Sequence, residues 1–474
     1  MQLMKRIRVG VVLVGVLALS TNARAQAAGV QAPPTTLTLE QALEYALAHY
    51  PSVRAALEQV SASTAGVSVA KSGYLPRFDS VWQTNRATAN NIFGQLLPQS
   101  VIPSISGPVL PAASGESVWG SAVGGLLSWE PVDFGLRSAT VREAEAAVVQ
   151  SRAEEGLTRL AVQNAVGGAF LAVVSAQQAL AAADADVQRR EVLARAAHTL
   201  VDNQLRPGAE ASRADAELAA ARTRAIQARS AVTLGQTTLA RLLGIPDGQV
   251  SVNTARLLDA VVPANAPMAS APQHPLVRSE QAAVDLARTR ETVLAATDRP
   301  RLYLQSSVSA RGSGANTDGV FDGGADGLGL DRANWAAGVQ VVFPNLFDFS
   351  TLQSRRAAAG ALTRAESARY EEAVLTIASQ QRAAQVMVDA ARAVAQNTPI
   401  QLTAAKQSEA QARARYDAGL AGIIEVAEAQ NLLAGAEYQD TAARVDVWRA
   451  LLAKAVAQGS LASFVDALRA AGGQ

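Results

Sequence analysis

Apolar residues recur at spacings of three and four through most of this chain, as Val162, Val166, Ala169, Phe170, Val173 and Val174 show. Such spacing places them on one side of a helix. The pattern predicts helices over 38–72, 136–204 and 209–243, and again over 275–297, 350–418 and 423–457. Pro76 and Pro300 close the shorter helices, because proline cannot continue one. The turns Leu205-Arg206-Pro207-Gly208 and Gly419-Leu420-Ala421-Gly422 separate each very long helix from its return partner. Pro399 is expected to interrupt and kink the second long helix, with Thr398 capping the restart. A helix over 136–204 is about 100 Å long at 1.5 Å per residue, beyond what a globular domain buries. Alanine fills most positions between the apolar ones, so helices approach closely on more than one side, as in a coiled-coil sheet or helical barrel.

In two regions the period changes to two. Phe78, Ser80, Trp82 and Thr84 alternate with Asp79, Val81, Gln83 and Asn85, and Gly120–Trp129 and Asn334–Phe343 are of similar length and β-forming content. Two strands are expected within 76–130 and two within 301–345, with turn-rich loops over 87–116 and 312–331. Segments 74–134 and 303–349 hold most of the aromatic residues, including four of the five tryptophans. Strands of about ten residues with aromatic ends suit an outer-membrane barrel, although a soluble antiparallel sheet capping the helices has the same pattern. Four strands cannot enclose a pore, since membrane barrels start at about eight, so a barrel reading implies an oligomer.

The element order occurs twice because the sequence does. His49-Tyr50-Pro51-Ser52-Val53-Arg54 recurs as Gln273-His274-Pro275-Leu276-Val277-Arg278, and at the same offset Pro76-Arg77-Phe78 returns as Pro300-Arg301-Leu302. A slightly smaller offset pairs Asp133-Phe134 with Asp348-Phe349, Leu205 with Leu420, Glu210 with Glu425 and Ala214 with Ala429. Preserved order makes this a duplication. The expected divisions are a first repeat over 26–257, a linker rich in Pro, Ala and Asn over 258–273, a second repeat over 274–460 and a C-terminal tail over 461–474.

Residues 1–25 read as a secretory signal: Lys5, Arg6 and Arg8, an apolar run from Val9 to Leu19, and the small-x-small pattern Ala23-Arg24-Ala25. No later stretch reads as a transmembrane helix, so any membrane crossing is expected to be by strands. A formal net charge of +1 gives no field directed at nucleic acid. Zero cysteines exclude a disulfide scaffold, a thiolate nucleophile and a lipid anchor on cysteine. The histidines, at 49, 198 and 274, form no metal or triad motif, and no glycine-rich phosphate loop follows a strand. Asp322, Asp326 and Asp331 lack calcium-loop spacing and read as an extracellular loop. No catalytic function and no cofactor is expected.

Several stretches together resemble the TolC family of outer-membrane efflux and secretion channels. They are Leu39-Glu40-Gln41-Ala42-Leu43 with His49-Tyr50-Pro51, Gly73-Tyr74-Leu75-Pro76, and Leu239-Ala240-Arg241-Leu242-Leu243-Gly244-Ile245-Pro246. The last is Arg415-Tyr416-Asp417-Ala418-Gly419-Leu420, followed by Glu425-Val426, Glu428-Ala429-Gln430 and Leu433. The resemblance implies a mainly α-helical homotrimer with a small β part. Its strands are pooled in one outer-membrane barrel facing lipid, and its long helices in one periplasmic tunnel. It also implies a periplasmic adaptor and an inner-membrane pump or secretion ATPase as partners. The expected function is the exit duct of a tripartite efflux pump; a type I protein-secretion duct and a non-pore periplasmic coiled-coil adaptor are the rivals.

Glu425 and Glu428, three apart, share a helix face just after the second turn. On their own they read as an ordinary solvated face. In a symmetric trimer they become rings of like charge that favour cations. Related channels carry acidic residues, usually Asp, at these positions in the closing constriction. The resemblance also links a tyrosine and a carboxylate across neighbouring coiled coils, here Tyr416 and Glu210, as a latch on the tip. Without it, Tyr416 reads equally as a core aromatic under a turn. Ala421 stands where some members have a latch arginine, and Gln204 precedes Leu205 where the family usually has glycine. Leu205, Arg206, Gly208, Gly419, Leu420 and Gly422 are the expected adaptor-docking tips, with Arg206 and Pro207 altering docking or stiffening the turn.

Overall fold

The computed structural model describes residues 36–88, 96–103, 115–245, 250–253, 271–315, 325–345 and 347–472. The expected signal over 1–25 and most of the expected linker over 258–273 lie outside them. In chain order come β1 (Thr36–Leu37), α1 (Leu39–His49), α2 (Pro51–Ser72), β2 (Arg77–Thr88) and β3 (Ser117–Val132). The first long hairpin follows, α3 (Leu136–Asp202) and α4 (Gly208–Leu243), then β4 (Ser251–Val252) and α5 (Pro275–Ala296). The second copy continues with β5 (Arg301–Ser313), β6 (Arg332–Val342), the long pair α6 (Phe349–Asp417) and α7 (Ile423–Ala457), and α8 (Ala462–Gly472).

Four local expectations are corrected. The single helix over 38–72 is two helices, because Tyr50 is extended (φ −69°, ψ 129°) ahead of Pro51, which sits at the first position of α2. α1 starts in a capping box in which Thr38 and Gln41 satisfy each other's backbone N–H groups. The break at Pro399 does not occur. α6 runs through it, and Thr398, instead of capping a restart, donates its Oγ1 hydrogen to Asp440 Oδ1 on α7 at 3.0 Å. Packing of α6 along α7 holds a helix that proline alone would weaken. The stretch after 461, expected as a tail, is helix α8, whose Phe464 packs edge-on against Trp448 with ring centroids 6.2 Å apart. Finally, α3 does contain a window long and apolar enough to cross a membrane by length and composition. Val162, Val166, Phe170, Val173 and Val174, the apolar side chains of its middle, are buried in the core.

That core lies where both copies meet. Leu39, Leu43 and Val53 from α1 and α2, Phe170 and Leu171 from α3, and Leu239 and Leu243 from α4 pack with Trp448 and Leu452 from α7. β1 and β4 close it with a two-residue parallel pairing, Leu37 opposite Val252. From this band the two hairpins α3–α4 and α6–α7 run side by side to their turns, joined by contact between α3 and α7.

At the other end β2, β3, β5 and β6 form a four-stranded antiparallel sheet in that order. Residues paired across strands share a face. The register therefore puts Phe78, Trp82, Trp119, Val123, Leu127, Trp129, Leu304, Val308, Trp335 and Val339 on one face. Asp79, Gln83, Asn85, Gln305, Ser307, Ser309, Arg311, Asn334 and Gln340 lie on the other. An apolar outer face and a polar inner face are the requirement of a water-filled membrane barrel. The aromatic residues do not all sit at strand ends: Trp82 and Trp335, 74% and 79% exposed, lie within β2 and β6. Among the described residues no strand covers the outer edges of β2 and β6. On the polar face lies the segment 96–103: a Cβ on Gly124 would come within 2.7 Å of Ile102 Cγ1. The segment is held in shape by Gln99, whose Oε1 accepts from the N–H groups of Val101 and Ile102.

Between sheet and helix, Asp133 anchors the start of α3. Its carboxylate accepts from the N–H of Gly135 (3.0 Å), the N–H of Arg137 (2.6 Å) and Arg137 Nε (2.8 Å). Burial alone would raise its pKa, but the bonds from Arg137 and Gly135 outweigh burial and hold it below the ordinary value.

Candidate functional site

The two hairpins end in turns of the same construction. In the first, the N–H of Leu205 reaches back to Leu200 O and that of Gln204 to Val201 O, both at 2.8 Å. In the second, Leu420 N–H bonds to Arg415 O at 2.8 Å and Gly419 N–H to Tyr416 O at 3.0 Å. Each is a left-handed helix cap that satisfies carbonyls at the helix end. Gly419 adopts φ 74° without steric cost, whereas the first turn puts Gln204 at φ 61°, a conformation that disfavours a side chain. Leu205 and Leu420 project from the turns, 68% and 73% exposed.

Arg206 crosses from the first turn to the second. Its Nη2 donates to the carbonyl of Ala421 at 3.2 Å, its Nη1 lies 3.5 Å from Glu210 Oε1, and its Cζ stands 5.3 Å from the centroid of the Tyr416 ring. Tyr416 OH donates to Glu210 Oε2 at 3.5 Å, a long bond for this pair. Burial first, and the charge of Glu210 second, raise the tyrosine's pKa, so the phenol stays protonated and remains a donor. The structure thus brings the expected Tyr416–Glu210 pair together and places Arg206, expected only as a docking or stiffening residue, at its centre. Above it, Leu193, Ala194, Ala197, Ala214, Ile423 and Val426 make a small apolar cluster around Tyr416.

The signal for Arg206 was available. The repeat offset that pairs Leu205 with Leu420 also pairs Arg206 with Ala421, so the arginine missing from the second turn stands at the equivalent position of the first.

Glu425 and Glu428 are exposed on α7, while Ile423, Val426 and Ala427 are buried. Arg415 Nη2 comes within 3.8 Å of Glu425 Oε2, so the two acidic side chains are not equivalent. Gly208 and Gly422 stand at the starts of α4 and α7. Among the described residues no group of three or more His, Asp or Glu is arranged to hold a metal ion. Of the three loop aspartates, Asp322 lies outside the described residues, Asp326 opens a short helical turn, and Asp331 lies 3.9 Å from Arg332.

A strand sheet with one lipid-compatible face, joined to long helical hairpins whose turns meet at the far end, defines an outer-membrane channel protein with a periplasmic helical part. The family model of the outer membrane efflux protein matches residues 42–245 and 269–459, and the chain belongs to that family. It is an outer-membrane efflux duct. Protein CyaE of Bordetella pertussis is 25% identical over 404 residues, covering 83% of this chain and 78% of that protein. The fold is shared with the outer membrane protein VceC of Vibrio cholerae, at TM-score 0.69 and 16% identity, over 89% of this chain and 96% of that one. It is shared too with the open state of the MtrE outer membrane channel of Neisseria gonorrhoeae, at TM-score 0.67 and 18% identity, over 89% of each chain.

Proposed function

We propose that the tip formed by Arg206, Glu210, Tyr416 and the Ala421 carbonyl is the periplasmic gate of a trimeric duct in a tripartite pump. The observation that carries this reading is Arg206 itself: one guanidinium touches a backbone carbonyl, a carboxylate and an aromatic face belonging to both hairpins. Separating the hairpins breaks its contacts to the Ala421 carbonyl and the Tyr416 ring, and the Tyr416–Glu210 bond with them, while the Arg206–Glu210 pair stays within the first hairpin. Three copies complete the barrel, since four strands with two unpaired edges do not close alone. In that trimer Glu425 and Glu428 line the constriction and bias it toward cations. Leu205 and Leu420, apolar and exposed on a turn, are the contacts for a periplasmic adaptor. The inner-membrane pump supplies the energy, and efflux is preferred to protein secretion on the family description.

Conductance of the purified channel in planar bilayers tests the gate. Tyr416→Phe should raise the closed-state current with the trimer intact. An unchanged current in both Tyr416→Phe and Arg206→Ala channels places the gate elsewhere. For the duct, cells lacking the protein should accumulate a fluorescent pump substrate and recover on complementation; normal export without it would refute the assignment.

A further inference from the structure

Above the apolar cluster the seam between the hairpins changes character. Arg190 on α3, 1% exposed, directs Nε to both oxygens of Asp186 at 3.0 Å. Its Nη1 donates to Glu217 on α4 at 2.8 Å and its Nη2 to Asn431 on α7 at 2.7 Å. Asp186, also buried, accepts from Arg224 of α4 at 2.9 Å. The neighbouring residue on α3, Arg189, reaches further along α7 and grips Glu437 through two bonds of 3.2 and 2.8 Å. Each nitrogen of the Arg190 guanidinium has an acceptor, and its partners come from three helices and both hairpins. Buried charge is rare in a seam otherwise built of alanine and aliphatic residues, and it holds only while all partners stay in place.

We propose that this network is a second fastening between the hairpins, one that stays closed when the tip opens and so acts as the pivot of the gate. The inference rests on the reading of the tip as a gate. Its argument is the length of the lever. Below the Trp448–Leu452 core, α7 extends about 40 Å to its first residue, packed along α6 and touching α3, whereas Asn431 and Glu437 lie only about 12–20 Å from that residue, at 1.5 Å per residue. A swing of about 10° then moves the tip by about 7 Å when the core is the pivot, and by about 3 Å when the network is. The network therefore limits the aperture, and Asn431 and Glu437 are positioning residues of the gate. Severing the α7 partners of the two arginines converts the short lever into the long one.

The test uses the full-length trimer in planar bilayers, with trimer integrity and helix content checked for each variant. Asn431→Ala and Glu437→Gln are introduced together, which leaves Asp186, Arg190 and Glu217 on the first hairpin undisturbed. In the Tyr416→Phe, Arg206→Ala background the tip is released, and conductance should rise to an intermediate level. Adding the α7 pair should raise it at least threefold further. If the released-tip channel conducts equally with and without the α7 pair, the network is not a pivot and the proposal falls. If releasing the tip changes nothing, the gate reading has failed separately. The α7 pair in the native background then decides: a rise in current keeps the fastening, and no rise removes it. Because variants of α7 sometimes disturb packing, Glu437→Asp serves as the rescue arm. It keeps the charge, and conductance should return toward that of the released-tip channel; failure to rescue, with the trimer intact, also counts against the pivot.

Discussion

Replacing Arg206 with alanine tests how the tip is held shut, and its magnitude follows from the two contacts it makes across the seam. The bond from the guanidinium to the Ala421 carbonyl is 3.2 Å long, and a hydrogen bond from a charged donor contributes about 1.5–3 kcal/mol. Stacking of the cation over the Tyr416 ring adds about 0.5–2 kcal/mol. The Arg206–Glu210 pair lies within the first hairpin and survives separation of the two, so it orients the guanidinium without adding to closure. The contacts share one group and do not add fully, so a loss of about 2–4 kcal/mol per subunit is expected. If three subunits open together, the closed state loses at least about 6 kcal/mol, and about 5.5 kcal/mol already turns a 99:1 equilibrium around. The assay is the open fraction of single channels in planar bilayers. Arg206→Ala should pass from almost always closed to mostly open. Arg206→Lys should fall between the two, because it keeps the charge but loses the planar fork and the stacking. An Arg206→Ala trimer that stays closed would refute the reasoning, since it leaves nothing for the guanidinium to hold.

The acidic pair should divide unequally: Glu428→Gln should lower cation preference, read as the reversal potential across a salt gradient, more than Glu425→Gln, which Arg415 already offsets at 3.8 Å. Asp133, its pKa lowered in the fold, stabilises the protein above the ordinary carboxylate value of about 3.9, and that stability is lost as pH falls through the lower folded value. Asp133→Asn should flatten thermal stability below about pH 4 and cost about 1–3 kcal/mol at pH 7 through the lost bonds to Arg137. His274 caps α5 by accepting the Leu276 N–H at Nδ1 and donates from Nε2 to Val456 O; burial lowers its pKa against the opposing effect of that carbonyl. The neutral form is required, so stability is complete above about pH 6.5 and declines as pH falls below it. His274→Asn keeps a cap acceptor and should abolish that decline in a melting series from pH 7.5 to 5. Gly124→Val should push the 96–103 segment off the polar face, seen as faster proteolysis within it; an unchanged cleavage rate would deny the Ile102 contact.

Much of this was legible in the sequence for physical reasons. The long helices announce themselves through unbroken three–four spacing, and the strands through strict alternation from Phe78 to Asn85. What failed depended on context. Pro399 reads as a break, yet tertiary packing on α7 overrides the local penalty. Tyr50-Pro51 lies inside a continuous apolar pattern, so the break there was hidden by the periodicity on either side. The tip pair Tyr416 and Glu210 follows from the resemblance, but the centre of the site does not. Arg206 has no helical period and no motif, and only its repeat counterpart, Ala421, points to it. The Arg190 network was invisible, because charged residues on an alanine-rich helix read as a solvated face unless the neighbouring helices are known.

The open edges of β2 and β6 carry a consequence for how cells tolerate damage. In the proposed trimer every subunit closes the barrel for its two neighbours, so a chain that folds its helices but spoils one edge strand is worse than a missing chain. It enters the ring and leaves a gap of unpaired backbone that lipid does not satisfy. With equal amounts of sound and spoiled chains mixing at random, only about one ring in eight is wholly sound. Edge mutations in Arg77–Thr88 or Arg332–Val342 should therefore be dominant, whereas mutations that prevent the chain from folding at all should be recessive.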